Sequence, residues 1–174
     1  KKDGNVDVVT ALKRSNDIFF YKTGEALGIE RLALWGAKMG IGKPLGIDIP
    51  GEKVGFMPDP AYRKSLGENW YLGDTYHVSI GQGELLSTPL EVNTWTNIIA
   101  TNGKMCKPRI VKINNGNGKN QTKCDEVTAK KENIALIREG MRQACDTGGT
   151  GWPLFKFKVP LEKFRPKDDR PLDD

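Results

Sequence analysis

The fold of this chain is decided by residues 70–92, which read WYLGDTYHVSIGQGELLSTPLEV. The end of the stretch predicts the start of a helix. Thr88 can cap free backbone amides, Pro89 has the fixed φ that suits the first helical position, and Glu91 completes a capping box. We expect the helix to end at the Asn-Gly pair of residues 102–103, which can adopt left-handed backbone. Its predicted buried face consists of apolar residues at helical spacing: Val92, Trp95, Ile98 and Ile99.

Just before this helix, two of the three residues in Gly81-Gln82-Gly83 lack a β-carbon, so the backbone can pass close to another surface. The order of these parts resembles the transpeptidase domain of penicillin-binding proteins of the cell-elongation class, in which Gly-Asp-Thr, Ser-Ile-Gly-Gln-Gly and Thr-Pro-Leu precede a buried helix. The resemblance extends upstream to GIDIPGE at residues 46–52 and downstream to GGTGWP at residues 148–153. It therefore covers most of the chain.

This resemblance implies an α+β fold with helices packed on an antiparallel sheet, as in penicillin-binding proteins and serine β-lactamases. Residues 1–174 would then be a partial transpeptidase domain, an internal fragment of a longer protein. Enzymes of this type carry Ser-x-x-Lys, Ser-x-Asn and Lys-Thr-Gly motifs. The first is absent, because no serine has a lysine three positions later. We expect the nucleophile upstream of Lys1 and the Lys-Thr-Gly strand beyond Asp174, so the chain alone should form no acyl enzyme.

The tripeptide Ser15-Asn16-Asp17 is similar to the second motif. The resemblance implies that Ser15 relays a proton to the leaving group and that Asp17 hydrogen-bonds the catalytic lysine and the substrate amide. It also implies that Asn16, Gly81, Gln82 and Gly83 bind substrate, with Gly81-Gln82-Gly83 supporting the floor of the site. The tripeptide alone has a simpler interpretation, with Ser15 as a helix N-cap and Asp17 at the positive end of the helix dipole.

Two other motif matches indicate no site. Lys22-Thr23-Gly24 spells the third motif, but it follows Ser15 by seven residues within a helical apolar pattern, which favours a helix surface. His77 is the sole histidine and lies too close to Ser79 to be the base of a triad, so we expect a packed or exposed loop residue. Residue spacing supports no metal, nucleotide or other cofactor site.

Hydrophobic spacing predicts further helices. One is expected at residues 6–13, a second from the Ser15 turn to Leu27 with Gly28 closing it, and a third at residues 30–39. A later helix is predicted to begin at Thr128, with its apolar face made by Ile134, Ile137 and Met141.

The remaining segments are expected to be irregular or extended. Residues 40–69 hold most of the Gly and Pro of the first half, which predicts a long ordered loop. Residues 108–113 predict a strand, the Asn- and Gly-rich residues 114–120 a hairpin turn, and residues 124–127 the return strand.

The composition, 37% hydrophobic and 28% charged, is ordinary for a single globular domain. No window has enough consecutive apolar residues to cross a bilayer, and no secretory signal is present. Since Lys1 is not an initiator methionine, we expect any membrane anchor upstream of this chain. The net charge of +5 comes from scattered residues without interleaved aromatics, so nucleic-acid binding is not expected.

The three cysteines, Cys106, Cys124 and Cys145, lack the spacing of a zinc site. Cys106 and Cys124 flank the predicted hairpin and could be bridged in an extracytoplasmic domain. Spacing alone favours the other interpretation, three separate thiols with packing roles.

The resemblance implies a parent D,D-transpeptidase that cross-links peptidoglycan through a serine acyl enzyme, in the periplasm or at the outer face of the cytoplasmic membrane. Its implied partners are stem peptides, β-lactams, a glycan polymerase and membrane proteins of the elongation complex. Two alternatives stay open: a non-catalytic sensor of β-lactams or cell-wall peptides, and a D,D-carboxypeptidase or β-lactamase of the same fold. The match of residues 40–69 to the elongation-class pattern argues against the second.

Overall fold

The computed structural model describes residues 3–111, 123–151 and 153, and these residues form seven helices and one two-stranded antiparallel sheet. The predicted combination of helices with an antiparallel sheet is confirmed. In chain order the elements are α1 (Val8–Arg14), α2 (Asp17–Leu27), α3 (Ile29–Lys38), α4 (Pro60–Ser65), α5 (Leu72–Ser79), α6 (Pro89–Ala100), β1 (Lys104–Cys106), β2 (Cys124–Glu126) and α7 (Lys131–Ala144).

The N-terminus of α6 is built around one buried carboxylate. Thr88 Oγ1 accepts a hydrogen bond from the backbone N–H of Glu91 at 3.1 Å, and Glu91 Oε2 accepts one from the N–H of Thr88 at 2.6 Å, which is the predicted capping box. Glu91 Oε1 accepts from the N–H of Gly55 at 2.9 Å, and Glu91 is only 1% exposed. A β-carbon at position 55 would overlap this carboxylate, so glycine is required there. Glu91 thus joins the 40–69 segment to α6.

The end of α6 also agrees with the sequence pattern, since residues 102 and 103 have φ of 57° and 99°. Its buried face agrees only in part. Ile98 is 2% exposed, but the prediction for Val92 is wrong, because Val92 is 46% exposed. Glu91 turns inward to bind Gly55, so the buried line of the helix follows Glu91, Thr94 and Ile98 instead.

The 40–69 segment is ordered by two further carboxylates. Glu52 accepts hydrogen bonds from the backbone N–H groups of residues 45, 46 and 47 at 2.5, 2.9 and 3.2 Å. Asp48 accepts from the N–H groups of residues 110 and 111 at 2.8 and 3.0 Å. These two hydrogen bonds hold the pKa of Asp48 below its usual value. The segment is therefore tied both to itself and to the chain that follows β1.

Two short helices are not predicted by the sequence pattern. Helix α4 lies inside the expected loop, where Asp59 caps it by accepting from the N–H of Tyr62 at 2.7 Å. Helix α5 contains His77, so the expectation of a loop residue there is wrong. Trp70 Nε1 donates to Thr75 Oγ1 at 2.9 Å and holds the first half of α5. Helices this short depend on tertiary contacts rather than on periodicity.

Helix α5 packs against α2 at very short range. The rings of Tyr21 and Tyr76 stack with centroids 5.2 Å apart. Gly24 is buried, and a β-carbon on it would overlap the Ser79 hydroxyl. Gly24 therefore sets how closely the two helices approach. The sequence Lys22-Thr23-Gly24 lies within α2, as predicted from its apolar pattern.

A disulfide joins the two strands. Cys106 lies opposite Cys124 in the antiparallel register, and their sulfurs are bonded. The preference for three separate thiols is therefore wrong for this pair, because the register brings the two cysteines together. Cys145 is free and exposed.

The strand predicted at residues 108–113 is displaced. Strand β1 ends at Cys106, and the N–H groups of residues 110 and 111 bind the Asp48 carboxylate instead of a neighbouring strand. The return strand is found close to its predicted position, as β2. Residues 112–113 and the turn predicted at residues 114–120 lie outside the described residues.

Helix α7 packs against α1, where a β-carbon on Gly140 would meet the Leu12 side chain. Ile134 is 3% exposed, as the apolar face predicts, but the prediction for Met141 is wrong, because Met141 is 40% exposed. The expectation that Thr128 caps this helix is wrong. The N-cap is Lys130, which has extended backbone and makes no side-chain cap hydrogen bond.

The buried carboxylate predicts a measurable loss of stability. Glu91→Gln should lower the free energy of unfolding by about 2 kcal/mol, because the new amide group presents N–H atoms to one of the two backbone donors at Gly55 and Thr88. Urea denaturation measures the change. Glu132→Gln removes the same charge from an exposed position in α7 and should change stability by at most about 0.5 kcal/mol. Equal unfolding midpoints for the two variants would contradict a structural role of Glu91.

Loss of the disulfide should also destabilise the chain. The double variant Cys106→Ser/Cys124→Ser should lose about 3 kcal/mol, because the bond closes a loop with a sequence separation of 18 in the unfolded chain. Thermal unfolding with and without reductant measures this. Reductant should destabilise the wild type and the Cys145→Ser control but not the double variant. An equal effect of reductant on all three proteins would show that the disulfide is not responsible.

Candidate active site

Ser15 and Asn16 form the whole link between α1 and α2, and Asp17 follows them in α2. Ser15 ends α1 with left-handed backbone at φ 50° and ψ 56°, and its N–H donates to the carbonyl of Leu12 at 3.2 Å. Asn16, not Ser15, is the N-cap of α2, since Asn16 Oδ1 accepts from the N–H of Phe19 at 3.0 Å. The simpler interpretation of Ser15 as an N-cap is therefore wrong. Asp17 is the first residue of α2, at the positive end of its dipole.

A clamp holds this link in place. The Asp3 carboxylate is ion-paired with Arg14 Nη1 at 2.7 Å and accepts a hydrogen bond from Asn16 Nδ2 at 3.1 Å. Both polar atoms of the Asn16 side chain are thus engaged within the chain, one by Asp3 and one by the N-terminus of α2. The side chains of Ser15 and Asp17 are exposed on either side of it. Sequence reasoning missed Asp3 and Arg14, because their contact depends on the path of residues 3–7 and not on a motif.

A groove of about 930 Å³ opens beside the link. Its walls combine polar groups with the aromatic rings of Phe19 and Tyr21 and the cations of Arg14 and Lys22. Ser15, Asn16 and Asp17 all line it. The groove is lined by Asp3, Gly4, Asn5, Val6, Arg14, Ser15, Asn16, Asp17, Ile18, Phe19, Tyr21 and Lys22.

The glycine-flanked segment lies elsewhere. Gly81 and Gly83 have φ of 73° and 74° in the turn that follows α5, and the N–H of Gln82 donates to the carbonyl of His77 at 2.8 Å. None of the three is part of the lining of the 930 Å³ groove. Gly83 instead borders a cavity of about 40 Å³ together with His77. The chain links the two regions through α5, which packs on α2.

Arg63 fixes the chain just after Gly83. Its guanidinium is hydrogen-bonded to Glu68 and ion-paired with Asp74 at 3.2 Å and with Glu84 at 3.3 Å. The hydrogen bond to Glu68 and the neighbouring carboxylates raise the pKa of Arg63, although desolvation acts in the opposite direction. Its partners lie at unrelated spacings along the chain, so no sequence signal marks this cluster.

The segment at residues 148–151 contacts the same end of α1. The N–H of Thr150 donates to the carbonyl of Lys13 at 3.1 Å, two residues before Ser15. The N–H of Gly151 donates to the carbonyl of Ala144 at the end of α7. A β-carbon on Gly149 would overlap that carbonyl, so glycine is required for the contact. The Gly-Gly-Thr-Gly segment is therefore anchored close to the Ser15 link.

Within residues 3–111 and 123–151, the structure contains no group of His, Cys, Asp and Glu arranged to hold a metal ion. No helix in the same ranges has the length and apolar character needed to cross a membrane.

A family model described as the penicillin-binding protein transpeptidase domain matches residues 1–158. The peptidoglycan D,D-transpeptidase MrdA of Salmonella typhimurium is 36% identical over 161 residues, covering 87% of this chain and 26% of that protein. Among solved structures, the penicillin-binding protein PBP2 of Helicobacter pylori superposes with a TM-score of 0.78 at 33% identity, covering 89% of this chain and 29% of that one.

A second solved structure is the complex between PBP2 and MreC from Helicobacter pylori. Its match has a TM-score of 0.77 at 34% identity and again covers 89% of this chain and 29% of that one. The chain thus spans between a quarter and a third of the length of these relatives. The fold and the sequence agree over most of the chain, which therefore belongs to the penicillin-binding protein transpeptidase family.

Proposed function

We propose that this chain is part of a serine D,D-transpeptidase that cross-links peptidoglycan stem peptides. Its membership of the transpeptidase family and the name of its Salmonella relative, peptidoglycan D,D-transpeptidase, support this proposal. The observation that carries it is the placement of Ser15 and Asp17. Both side chains are exposed to one large groove, while Asn16 between them is held by contacts within the chain.

In the proposed reaction a serine supplied from outside this chain attacks the D-Ala-D-Ala bond of a stem peptide. The bond breaks, and the terminal D-Ala leaves as an amine that needs a proton. Ser15, which lines the groove, relays to that amine the proton that the attacking serine loses. Asp17 hydrogen-bonds the catalytic lysine and the substrate amide. An amine of a neighbouring stem peptide then resolves the acyl enzyme, and β-lactams acylate the same serine.

The backbone of Ser15 supports a role beyond capping. A left-handed conformation costs a residue with a β-carbon about 1 kcal/mol, and glycine adopts it freely. Strained residues of this kind cluster at active sites, where the surrounding structure holds them. The clamp of Asp3, Arg14 and Asn16 provides such support. A serine retained where glycine would be more stable is expected if its hydroxyl has a chemical role.

For Gly81-Gln82-Gly83, which do not line the groove, we propose an indirect role in supporting the floor of the site. The segment follows α5, whose Ser79 packs on Gly24 of α2, and Arg63 holds the next residue, Glu84. These contacts allow it to stabilise the arrangement of α2 beside the groove.

The wider setting follows from the same proposal. Residues 1–174 would be part of a transpeptidase domain that is completed by the Ser-x-x-Lys segment and the Lys-Thr-Gly strand, in an extracytoplasmic protein anchored by an upstream transmembrane helix. The disulfide supports an oxidising compartment. Helicobacter PBP2 has been solved in complex with MreC, which supports elongation-complex membrane proteins as partners, together with a glycan polymerase.

Two variants of Ser15 distinguish a role of its hydroxyl in the reaction from a purely structural role as a helix cap. In the complete protein that carries the nucleophile, Ser15→Ala and Ser15→Gly should both slow acylation by a fluorescent penicillin by about 100-fold, because both remove the hydroxyl. The glycine variant should also be about 1 kcal/mol more stable, since it relieves the left-handed backbone. Gel labelling with the penicillin and thermal unfolding measure the two effects. Labelling at the wild-type rate in the glycine variant would leave Ser15 as a helix cap only.

A further inference from the structure

A second groove lies between the 40–45 turn and the β1–β2 hairpin, away from Ser15. Its volume is about 420 Å³, which falls within the range of roughly 300–1,000 Å³ found for ligand sites. Its lining combines three lysines with an apolar floor and a single acidic residue: Ala37, Gly40, Lys43, Pro44, Leu45, Met105, Cys106, Lys107, Pro108, Lys123 and Asp125. We call this the lysine groove.

Two of the lysines that line the groove, Lys107 and Lys123, have hydrogen-bonded backbones. The antiparallel register that pairs Cys106 with Cys124 places Lys107 opposite Lys123, and the N–H of Lys107 donates to the carbonyl of Lys123 at 3.0 Å. Like charges directly opposite each other on paired strands are destabilising. The disulfide at the preceding pair holds the backbones at this distance. The disulfide therefore keeps the backbones of two lysines paired at one edge of the groove.

The third lysine, Lys43, lies on the opposite wall of the groove. Lys43 belongs to the turn that begins at Gly40, and the same turn continues to Gly46, where the Lys107 side chain crosses. A β-carbon on Gly46 would lie 2.9 Å from Cε and 3.3 Å from Nζ of Lys107, so glycine leaves room for that side chain. Among residues 3–111 and 123–151, no carboxylate is ion-paired with Lys43, Lys107 or Lys123.

We propose that the lysine groove binds an acidic peptide segment of a partner protein, with carboxylates at the three ammonium groups and apolar side chains on the floor. Charge complementarity requires an anionic occupant, because three cations face one acid. The apolar lining residues Pro44, Leu45, Met105 and Pro108 favour apolar groups in the same ligand, which a purely anionic polymer lacks. An extended peptide also makes more contacts in a cleft with two walls than it would on a flat surface.

The test uses the complete protein that contains this chain and a fluorescein-labelled hexapeptide of alternating Glu and Leu, followed by fluorescence anisotropy. We expect saturable binding that weakens as NaCl rises from about 50 to 300 mM, because salt screens exposed charges. The hexapeptide of alternating Lys and Leu should not bind. Absence of binding by the Glu-Leu peptide would overturn the proposal. Equally tight binding of hexaglutamate would also overturn it, because the apolar floor would then contribute nothing.

Charge reversal locates the site. Lys107→Glu/Lys123→Glu should weaken binding of the Glu-Leu peptide by about tenfold or more, because two attractive contacts become repulsive. Lys64→Glu/Lys131→Glu makes the same change in net charge at exposed positions outside the lining and should bind within about twofold of wild type. If the hairpin variant does not fold, Lys43→Gln on the opposite wall should still weaken binding by about threefold. Equal losses in the groove and control variants would overturn the proposal.

Discussion

The described structure depends on a carboxylate with no cation beside it. Glu91 is almost completely buried, and its oxygens are satisfied by the backbone N–H groups of Gly55 and Thr88. A buried charge is stable only when its hydrogen-bonding capacity is used, so this contact demands a fixed geometry. It joins the N-terminus of α6 to a segment that has little regular structure of its own. Glu52 and Asp48 extend the same principle, since each carboxylate organises backbone amides rather than pairing with a base.

The candidate site depends on the short link between α1 and α2, which other parts of the chain hold in place. Ser15 is the C-cap of α1 and Asn16 is the N-cap of α2, so two residues connect the helices. Asp3 and Arg14 hold the link, and the N–H of Thr150 binds the carbonyl of Lys13 near the end of α1. The middle residue of the tripeptide provides mechanical support, and the outer two present their side chains to the groove. Such a division suits a site in which a hydroxyl must be held at one position.

The sequence predicts those features that local chemistry determines. Neighbouring residues alone determine three features: the capping box at Thr88, the Asn-Gly end of α6 and the extent of α2. The structure confirms each of them. The features that depend on distant residues are not predictable in this way. Asp48 removes two amides from a predicted strand, and Glu91 rotates the buried face of α6 away from Val92. In the candidate site, the tripeptide is recognisable, but Asp3 and the groove depend on how the preceding chain folds back.

The contact between Gly24 and Ser79 has a consequence for how mutational data on this family should be interpreted. A larger residue at position 24 would press on Ser79 of α5, and a shift of α5 would separate Tyr76 from Tyr21, which lines the groove. A deep mutational scan scored on antibiotic labelling would therefore rank Gly24 with the reactive positions, although it has no functional group. Sensitivity in such a scan reports helix spacing as readily as chemistry.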